Sequence, residues 1–189
     1  MSRSLRVVHV ATEMTPVAKV GGLADVVGGL SLVLSRRGHR VTVILPRYGF
    51  LEDAPWALVP LGDELRPGRD RRQEWSRLDV PEHPVEILVV GDPGFNDRAG
   101  IYVDPTTGEG YPGAAETYAR FALGVTQFLA GRDSYPDILH VHDHQPALVP
   151  TLVKRGRGSF PSVKTVLTLH NLAFQGRYQP SQMAGTDLD

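Results

Sequence analysis

The chain has 189 residues, of which 41% are hydrophobic and 22% charged, so its length and composition fit one globular domain and are short of two. Its 20 basic and 21 acidic residues give a net charge of -1, which offers no support for a nucleic acid or an anionic membrane as a partner. There are no cysteines, which excludes disulfides and thiolate metal sites, and no segment resembles a signal peptide or a membrane span, so we expect a cytoplasmic protein.

The first quarter of the chain has the pattern of a strand, a helix and a second strand. Residues 5–11 are a short valine-rich run that predicts a buried strand, and residues 40–46 predict another. Between them, residues 22–39 predict a helix that ends at Gly38 in a left-handed conformation. The apolar arc of this helix consists of Leu23, Val26, Val27, Leu30, Val33 and Leu34. Apolar strands on either side of a helix indicate a parallel sheet.

The rest of the chain continues this alternation after a less regular middle. Residues 66–75 are a charge run that predicts a solvated loop or hairpin, and residues 171–189 have loop composition. The other predicted elements are strands over residues 85–91, 100–104, 137–142 and 163–170, and helices over residues 114–130 and 146–155. The order of these elements predicts an α/β domain with a doubly wound, Rossmann-like parallel sheet.

A glycine-rich stretch, residues 18–30, joins the first strand to its helix. We expect the amides of Gly21 and Gly22 to be unpaired at the helix N-terminus, where the helix dipole favours an anion, and Lys19 would add a positive charge. The spacing matches neither GxGxxG nor GK[ST], and no acidic residue follows the second strand to hold a ribose. This argues against a nicotinamide-dependent dehydrogenase.

Two further features of this stretch have separate interpretations. Asp25 lies opposite the apolar arc, so it faces either the ligand cleft or solvent, where it would only complement the helix dipole. Gly28 and Gly29 are predicted to let the helix pack closely on the sheet.

A histidine-rich segment follows at residues 140–144. His140 and His142 share one face of the predicted strand, and alternate histidines can bind a metal, so a metal-dependent hydrolase is an alternative. The segment supplies one carboxylate, and the sequence contains no further cluster with ligand spacing, so no metal ligand is assigned. We interpret His140 as a hydrogen-bonded core residue and Asp143, at the carboxyl end of the strand, as the functional candidate.

The last predicted strand brings His170 and Asn171 to the same edge of the sheet. Gln175, Gly176 and Tyr178 follow in a polar, partly aromatic loop suited to hydroxyl-rich ligands. The sequence has no GxSxG, Cys/His pair or HExxH, so acyl hydrolysis and zinc proteolysis have no support.

Three motifs in this order resemble the N-terminal domain of bacterial glycogen synthase and plant starch synthase. They are ATEMTPVAKVGGLADVVGGL, DILHVHDHQPALVP and TLHNLAFQG, and with GIYVD and RFAL they span nearly the whole chain. The resemblance implies the N-terminal half of a GT-B glycosyltransferase that transfers α-glucose from ADP-glucose to the non-reducing end of an α-1,4-glucan, with retention and without a cofactor. Residues 1–189 would form the acceptor and glucose side, and the C-terminal nucleotide-binding domain would lie outside this chain.

The resemblance also implies two groups of site residues. The group at the sugar nucleotide and its diphosphate comprises Lys19, Gly21, Gly22 and Asp25, with Asp25 beside the transferred glucose or the glucan. The group at the glucose comprises Asp143, His170 and Asn171. Asp143 and His170 are the catalytic candidates, with His170 close to the anomeric carbon.

Two alternative functions stay open at this point. One is a non-catalytic fragment that binds a glucan or a nucleotide, and the other is a GT-B transferase that uses a different sugar nucleotide. We expect the isolated 189 residues to show weak or no transfer, because half of the cleft would be missing.

Overall fold

The structure is a computed structural model in which residues 3–62, 73–132, 135–156 and 162–183 are described. Its elements in chain order are β1 (Arg6–Val10), α1 (Gly22–Arg36), β2 (Arg40–Pro46), β3 (Ala57–Pro60), β4 (Glu74–Asp79), β5 (Glu86–Gly91), α2 (Pro93–Asn96), α3 (Ala114–Ala130), β6 (Ile138–His142), α4 (Leu148–Lys154) and β7 (Lys164–Thr168). Short 3₁₀ helices occur at Gly49–Leu51 and Pro180–Met183. Within the described ranges, no helix has the length and apolar character needed to cross a bilayer.

The strands form one sheet in the order β3-β4-β5-β2-β1-β6-β7. In this order, the five consecutive strands β5, β2, β1, β6 and β7 are parallel. Strands β3 and β4 are antiparallel and lie at one edge of the sheet. The chain moves outward from β1 to β2 and β5 and then returns to β6 on the other side of β1, which confirms the doubly wound sheet. The carboxyl ends of β1, β6 and β7 are therefore neighbours, so the segments that follow these strands meet at one edge.

Most predicted elements are confirmed, and the differences lie in the middle of the chain. The strand predicted over residues 100–104 is wrong, because the chain there forms only an isolated bridge between Val103 and Gly110. Residues 66–72 of the predicted charged loop lie outside the described residues. The end of that segment begins β4, where Trp75 is buried and stacks on Phe128 with ring centroids 4.0 Å apart. Strands β3 and β4 and helix α2 were not predicted.

The buried face of α1 differs from the predicted apolar arc. Its buried residues are Leu23, Ala24, Val27, Gly28 and Ser31. By contrast, Val26 and Val33 are 45% and 46% exposed. Small side chains are buried here because the helix lies against the loop that follows β1. A Cβ atom on Gly28 would be 2.6 Å from the carbonyl oxygen of Thr15. A close approach does occur at Gly28, but its partner is the loop and the predicted packing on the sheet is wrong. Gly29 has open space, so its predicted role is also wrong.

An ion pair joins the end of β5 to α3. Arg120 donates to both carboxylate oxygens of Asp92 at 2.8 and 2.9 Å, and Asp92 is fully buried. The same carboxylate accepts a hydrogen bond from the amide of Gly94 at the start of α2. These bonds fix the corner between β5, α2 and α3, because breaking a buried ion pair costs about 3–5 kcal/mol.

Candidate functional site

Two groups of residues meet at the carboxyl edge of the sheet. We call residues 12–25, which follow β1 and enter α1, the glycine loop. We call His9, His142 and His170 the histidine row. His9 lies in β1, His142 is the last residue of β6, and His170 lies two residues after the end of β7. The pairing of β1 with β6 brings together residues more than 130 positions apart in the sequence, and the pairing of β6 with β7 places the residues after β7 beside them.

The buried carboxylate of Glu13 organises the glycine loop. One of its oxygens accepts hydrogen bonds from the amides of Val20 at 2.6 Å and Gly21 at 2.8 Å, and the other accepts the hydroxyl of Tyr102 at 2.6 Å. Burial, reinforced by the bond to Glu13, raises the pKa of Tyr102, which keeps its hydroxyl a donor. The Gly21 amide, which was expected to be unpaired, is thus occupied by a carboxylate of the protein itself. No signal in the sequence pointed to Glu13, because the hydrogen-bond partners of its carboxylate depend on how the loop folds back on itself.

Lys19 and Asp25 form an ion pair at the surface of the glycine loop. The ammonium of Lys19 donates to both oxygens of Asp25 at 2.7 and 2.8 Å, and Thr15 donates to the same carboxylate at 2.9 Å. These hydrogen bonds, that from Lys19 first, lower the pKa of Asp25. The two charged side chains are 50% and 55% exposed, so an anion can compete for Lys19. A Cβ atom on Gly21 or Gly22 would meet nothing within 4 Å, which leaves room beside the pair.

The histidine row is a chain of ring-to-ring hydrogen bonds. Nδ1 of His9 lies 3.0 Å from Nε2 of His142, and Nδ1 of His142 lies 3.0 Å from Nε2 of His170. Beside the row, the ring of His140 stacks on that of His142 with centroids 4.2 Å apart, and its Nε2 lies 2.7 Å from the hydroxyl of Thr168. The bond confirms that His140 is hydrogen-bonded, but the residue is half-buried and not in the core as predicted.

The inner part of the histidine row is uncharged at neutral pH. His9 and His142 are fully buried, and burial lowers the pKa of His9 to about 4 and that of His142 to about 2, with neighbouring histidines adding to the effect. Burial also lowers the pKa of His140. Ring nitrogens of His9, His140 and His142 lie within 4.8 Å of one another, which is ligand spacing for a metal. The sequence could not reveal this cluster, because His9 comes from a different strand.

Asp143 fixes the backbone at the end of the histidine row. It has a left-handed conformation with φ 62°, and its amide donates to the carbonyl of Thr168 at 2.8 Å. One of its carboxylate oxygens accepts the amide of His170 at 2.6 Å. Asn171 is exposed, and its side-chain oxygen accepts the amide of Ala173 at 2.9 Å. The structure thus brings Asp143, His170 and Asn171 together, with Asp143 holding the loop that presents the other two residues.

A cavity of about 320 Å³ lies beside this loop. Polar and aromatic residues in its wall include Tyr118, His144, Gln145, Gln175 and Tyr178. The predicted polar and aromatic loop after His170 therefore does border a cavity.

Known proteins resemble this chain in sequence and in fold. The model of a family described as the starch synthase catalytic domain matches residues 6–189. A glycogen synthase of Geotalea daltonii is 35% identical over 98% of this chain and 39% of its own length, and one of Ralstonia nicotianae is 41% identical over 94% and 32%. The chain thus spans well under half of these relatives.

A solved structure shares the fold. The catalytic domain of starch synthase IV from Arabidopsis thaliana, bound to ADP and acarbose, superposes with a TM-score of 0.79 at 29% identity. The match covers 99% of this chain and 38% of that one. A family match over nearly the whole sequence, together with a shared fold, shows that the chain belongs to the starch synthase catalytic domain family.

Proposed function

We propose that this chain forms the glucose-side half of a GT-B glycosyltransferase that uses ADP-glucose to extend an α-1,4-glucan with retention. The proposal rests on one observation. An exposed lysine, Lys19, precedes a glycine-rich helix start, and it lies at the same edge of the sheet as His170. The relatives named glycogen synthase and a structural neighbour bound to ADP and acarbose support the choice of substrates.

The glycine loop would stabilise the leaving diphosphate. Negative charge develops on the phosphate as the bond to glucose breaks, so a fixed cation there acts more on the transition state than on the ground state. Lys19 would exchange its bond to Asp25 for a phosphate oxygen. The absence of side chains at Gly21 and Gly22 would let the diphosphate approach closely. The N–H of Gly22, the first residue of α1, has no partner within the helix and would add a donor.

Asp25, released from Lys19, would face the transferred glucose or the incoming glucan. His170 and Asn171 would contact the glucose, and Asp143 would hold their backbone in place. The bond from C1 to the diphosphate breaks while the acceptor hydroxyl forms its bond to C1 from the same face, and the hydroxyl proton passes to the departing phosphate oxygen. This route uses one face of the sugar and needs no protein nucleophile. A retaining glycosidase, by contrast, uses two carboxyl groups, one of which is the nucleophile.

The adenosine and part of the diphosphate would be bound by a C-terminal domain outside these 189 residues. We therefore expect residues 1–189 alone to transfer glucose weakly or not at all. A non-catalytic protein that binds glucan or nucleotide is the second candidate.

The test is incorporation of labelled glucose into glycogen by the full-length gene product, with ADP-glucose and UDP-glucose as separate donors. We expect transfer from ADP-glucose and a loss on the order of 100-fold in Lys19→Ala, as for removal of one donor to a developing charge. Lys154→Ala, which removes an exposed lysine of α4, is the matched control and should retain activity. Full activity in Lys19→Ala contradicts the assigned role, and binding of ADP or acarbose without any incorporation favours the non-catalytic candidate.

A further inference from the structure

We propose that His9 and His142 are positioning residues that hold His170 as one tautomer, protonated on Nδ1, through a directional chain of hydrogen bonds. A neutral imidazole has one N–H donor and one acceptor nitrogen, so a chain of three neutral rings has only two possible directions. In one direction every Nδ1 donates to the next Nε2. In the other every Nε2 donates to the preceding Nδ1.

The buried end of the row decides between these directions. Nε2 of His9 is buried and has no hydrogen-bond partner among the residues that the structure describes. If His142 donated to His9, the single proton of the His9 ring would be on this Nε2, as a buried N–H without an acceptor. Orphaned buried N–H groups are rarer than acceptors that lack a donor. The favoured direction therefore places the proton of His9 on Nδ1, which donates to His142.

The same rule then fixes the other two rings. Nε2 of His142 accepts from His9, so the proton of His142 is on Nδ1 and is donated to Nε2 of His170. His170 therefore carries its own proton on Nδ1. Its exposed end does not compete with this choice, because a half-buried nitrogen at the edge of the sheet can be hydrated in either tautomer.

The surroundings of the row favour a fixed chain over a metal site. Both nitrogens of His142 already face ring nitrogens at 3.0 Å, one on each side. The ring of His140 stacks on that of His142 and is anchored by Thr168, which restricts rotation of the His142 ring. A metal held by His9, His140 and His142 would have to displace one of the two ring-to-ring hydrogen bonds of His142.

The consequence for the site is a donor of fixed direction. His170 would donate its Nδ1–H to an acceptor oxygen, such as that of a ligand hydroxyl. The hydrogen bond from His142 to Nε2 of His170 would keep the ring in this orientation. That a ligand sits there rests on the proposed function, whereas the tautomer itself does not. A measurement of the tautomer therefore separates the two proposals.

The test is NMR of the 189-residue chain labelled with ¹⁵N-histidine, at pH 7, with long-range proton–nitrogen correlations that report which ring nitrogen carries the proton. We expect Nδ1 of His170 to be protonated and Nε2 to be bare. Protonation on Nε2, or an averaged mixture of tautomers, overturns the proposal without any substitution. One equivalent of Zn²⁺ should leave the spectrum unchanged, and displacement of the proton between His9 and His142 would identify a metal site instead.

Variants separate positioning from packing. His142→Phe keeps a ring but removes both nitrogens, and we expect His170 to become a mixture of tautomers. His142→Asn can return an amide N–H near the Nδ1 position, so it should restore the Nδ1–H form. His83→Gln, which changes a histidine in the segment between β4 and β5, is the control and should leave the tautomer of His170 unchanged. A folded His142→Phe variant with an unaltered His170 overturns the proposal.

Discussion

The glycine loop and the histidine row lie at the same edge of the sheet but are built with opposite chemistry. The loop presents a charged pair, Lys19 and Asp25, with about half of each side chain exposed. The row consists of imidazole rings, and its inner members His9 and His142 are fully buried and uncharged at neutral pH. A charge that must exchange partners with a ligand has to stay close to water, whereas groups that orient a side chain hold it best when they are packed and dry.

The difference between the two regions predicts where each should be sensitive. Changes in the buried members of the row, His9 and His142, should appear mainly in the free energy of unfolding and in its pH dependence. Changes at the exposed pair should leave stability intact and appear in ligand binding or transfer.

The largest expected effect is acid destabilisation by the histidine row. The pKa of His9 is about 4 in the folded chain and 6.5 for an ordinary histidine, so near pH 5 the unfolded chain binds a proton that the folded chain does not. The free energy of unfolding therefore rises with pH between about 4 and 6.5 and falls on acidification. From pH 7 to pH 5 we expect a loss of roughly 2 kcal/mol from His9 and a similar loss from His142.

Urea unfolding at a series of pH values measures this effect. The variant His9→Phe has no titratable ring at this position. It should reduce the pH dependence of the free energy of unfolding by the amount that His9 contributes. A free energy of unfolding that is constant between pH 5 and pH 7 would contradict a buried, neutral row.

A smaller effect is expected from the two glycines of α1. Gly28→Ala places a methyl group 2.6 Å from the carbonyl oxygen of Thr15, so we expect a destabilisation of about 1–3 kcal/mol. Gly29→Ala has open space and should stabilise by up to about 1 kcal/mol through helix propensity. Thermal and urea unfolding of the two variants compare the same substitution at adjacent positions, and equal effects would show that α1 does not pack on the loop.

The smallest effect on stability is expected at the exposed pair. Asp25→Asn should leave the urea midpoint unchanged at moderate salt, because solvent-exposed ion pairs contribute little. It should instead free Lys19 and raise the affinity of the loop for a diphosphate such as ADP, measured by calorimetry. A clear loss of stability would mean that the pair holds the loop in shape and is not available for exchange.

Several parts of the fold were predictable because local patterns determine them. The strand over residues 40–46 and the helix over residues 114–130 are confirmed at their full length, since continuous apolar runs and helical spacing are properties of adjacent residues. Strand β4, with the sequence EWSRLD, was missed because it has neither a regular alternation nor an apolar run. It is a strand because β3 and β5 pair with it on both sides.

The sequence predicted where the candidate site lies on the sheet, but it did not predict which groups its residues contact. Lys19, Asp25, Asp143 and His170 were expected at the carboxyl edge because each follows or ends a strand in a parallel sheet, and the strand order brings these segments together. That the Gly21 amide is taken by Glu13 was not predictable, because a side chain's hydrogen-bond partner depends on how the loop folds back.

The sequence alone determined the alternation of strands and helices, the place of the glycine loop and the resemblance of its motifs to one family. Only the tertiary structure decided which residues touch. His9 and His142 are bonded across 133 positions because β1 and β6 are neighbours. Val166 and Leu167, in an apolar run that predicts burial, are 42% and 48% exposed on β7. Burial and contact depend on what packs against a residue, and that is a property of the assembled sheet and not of the local sequence.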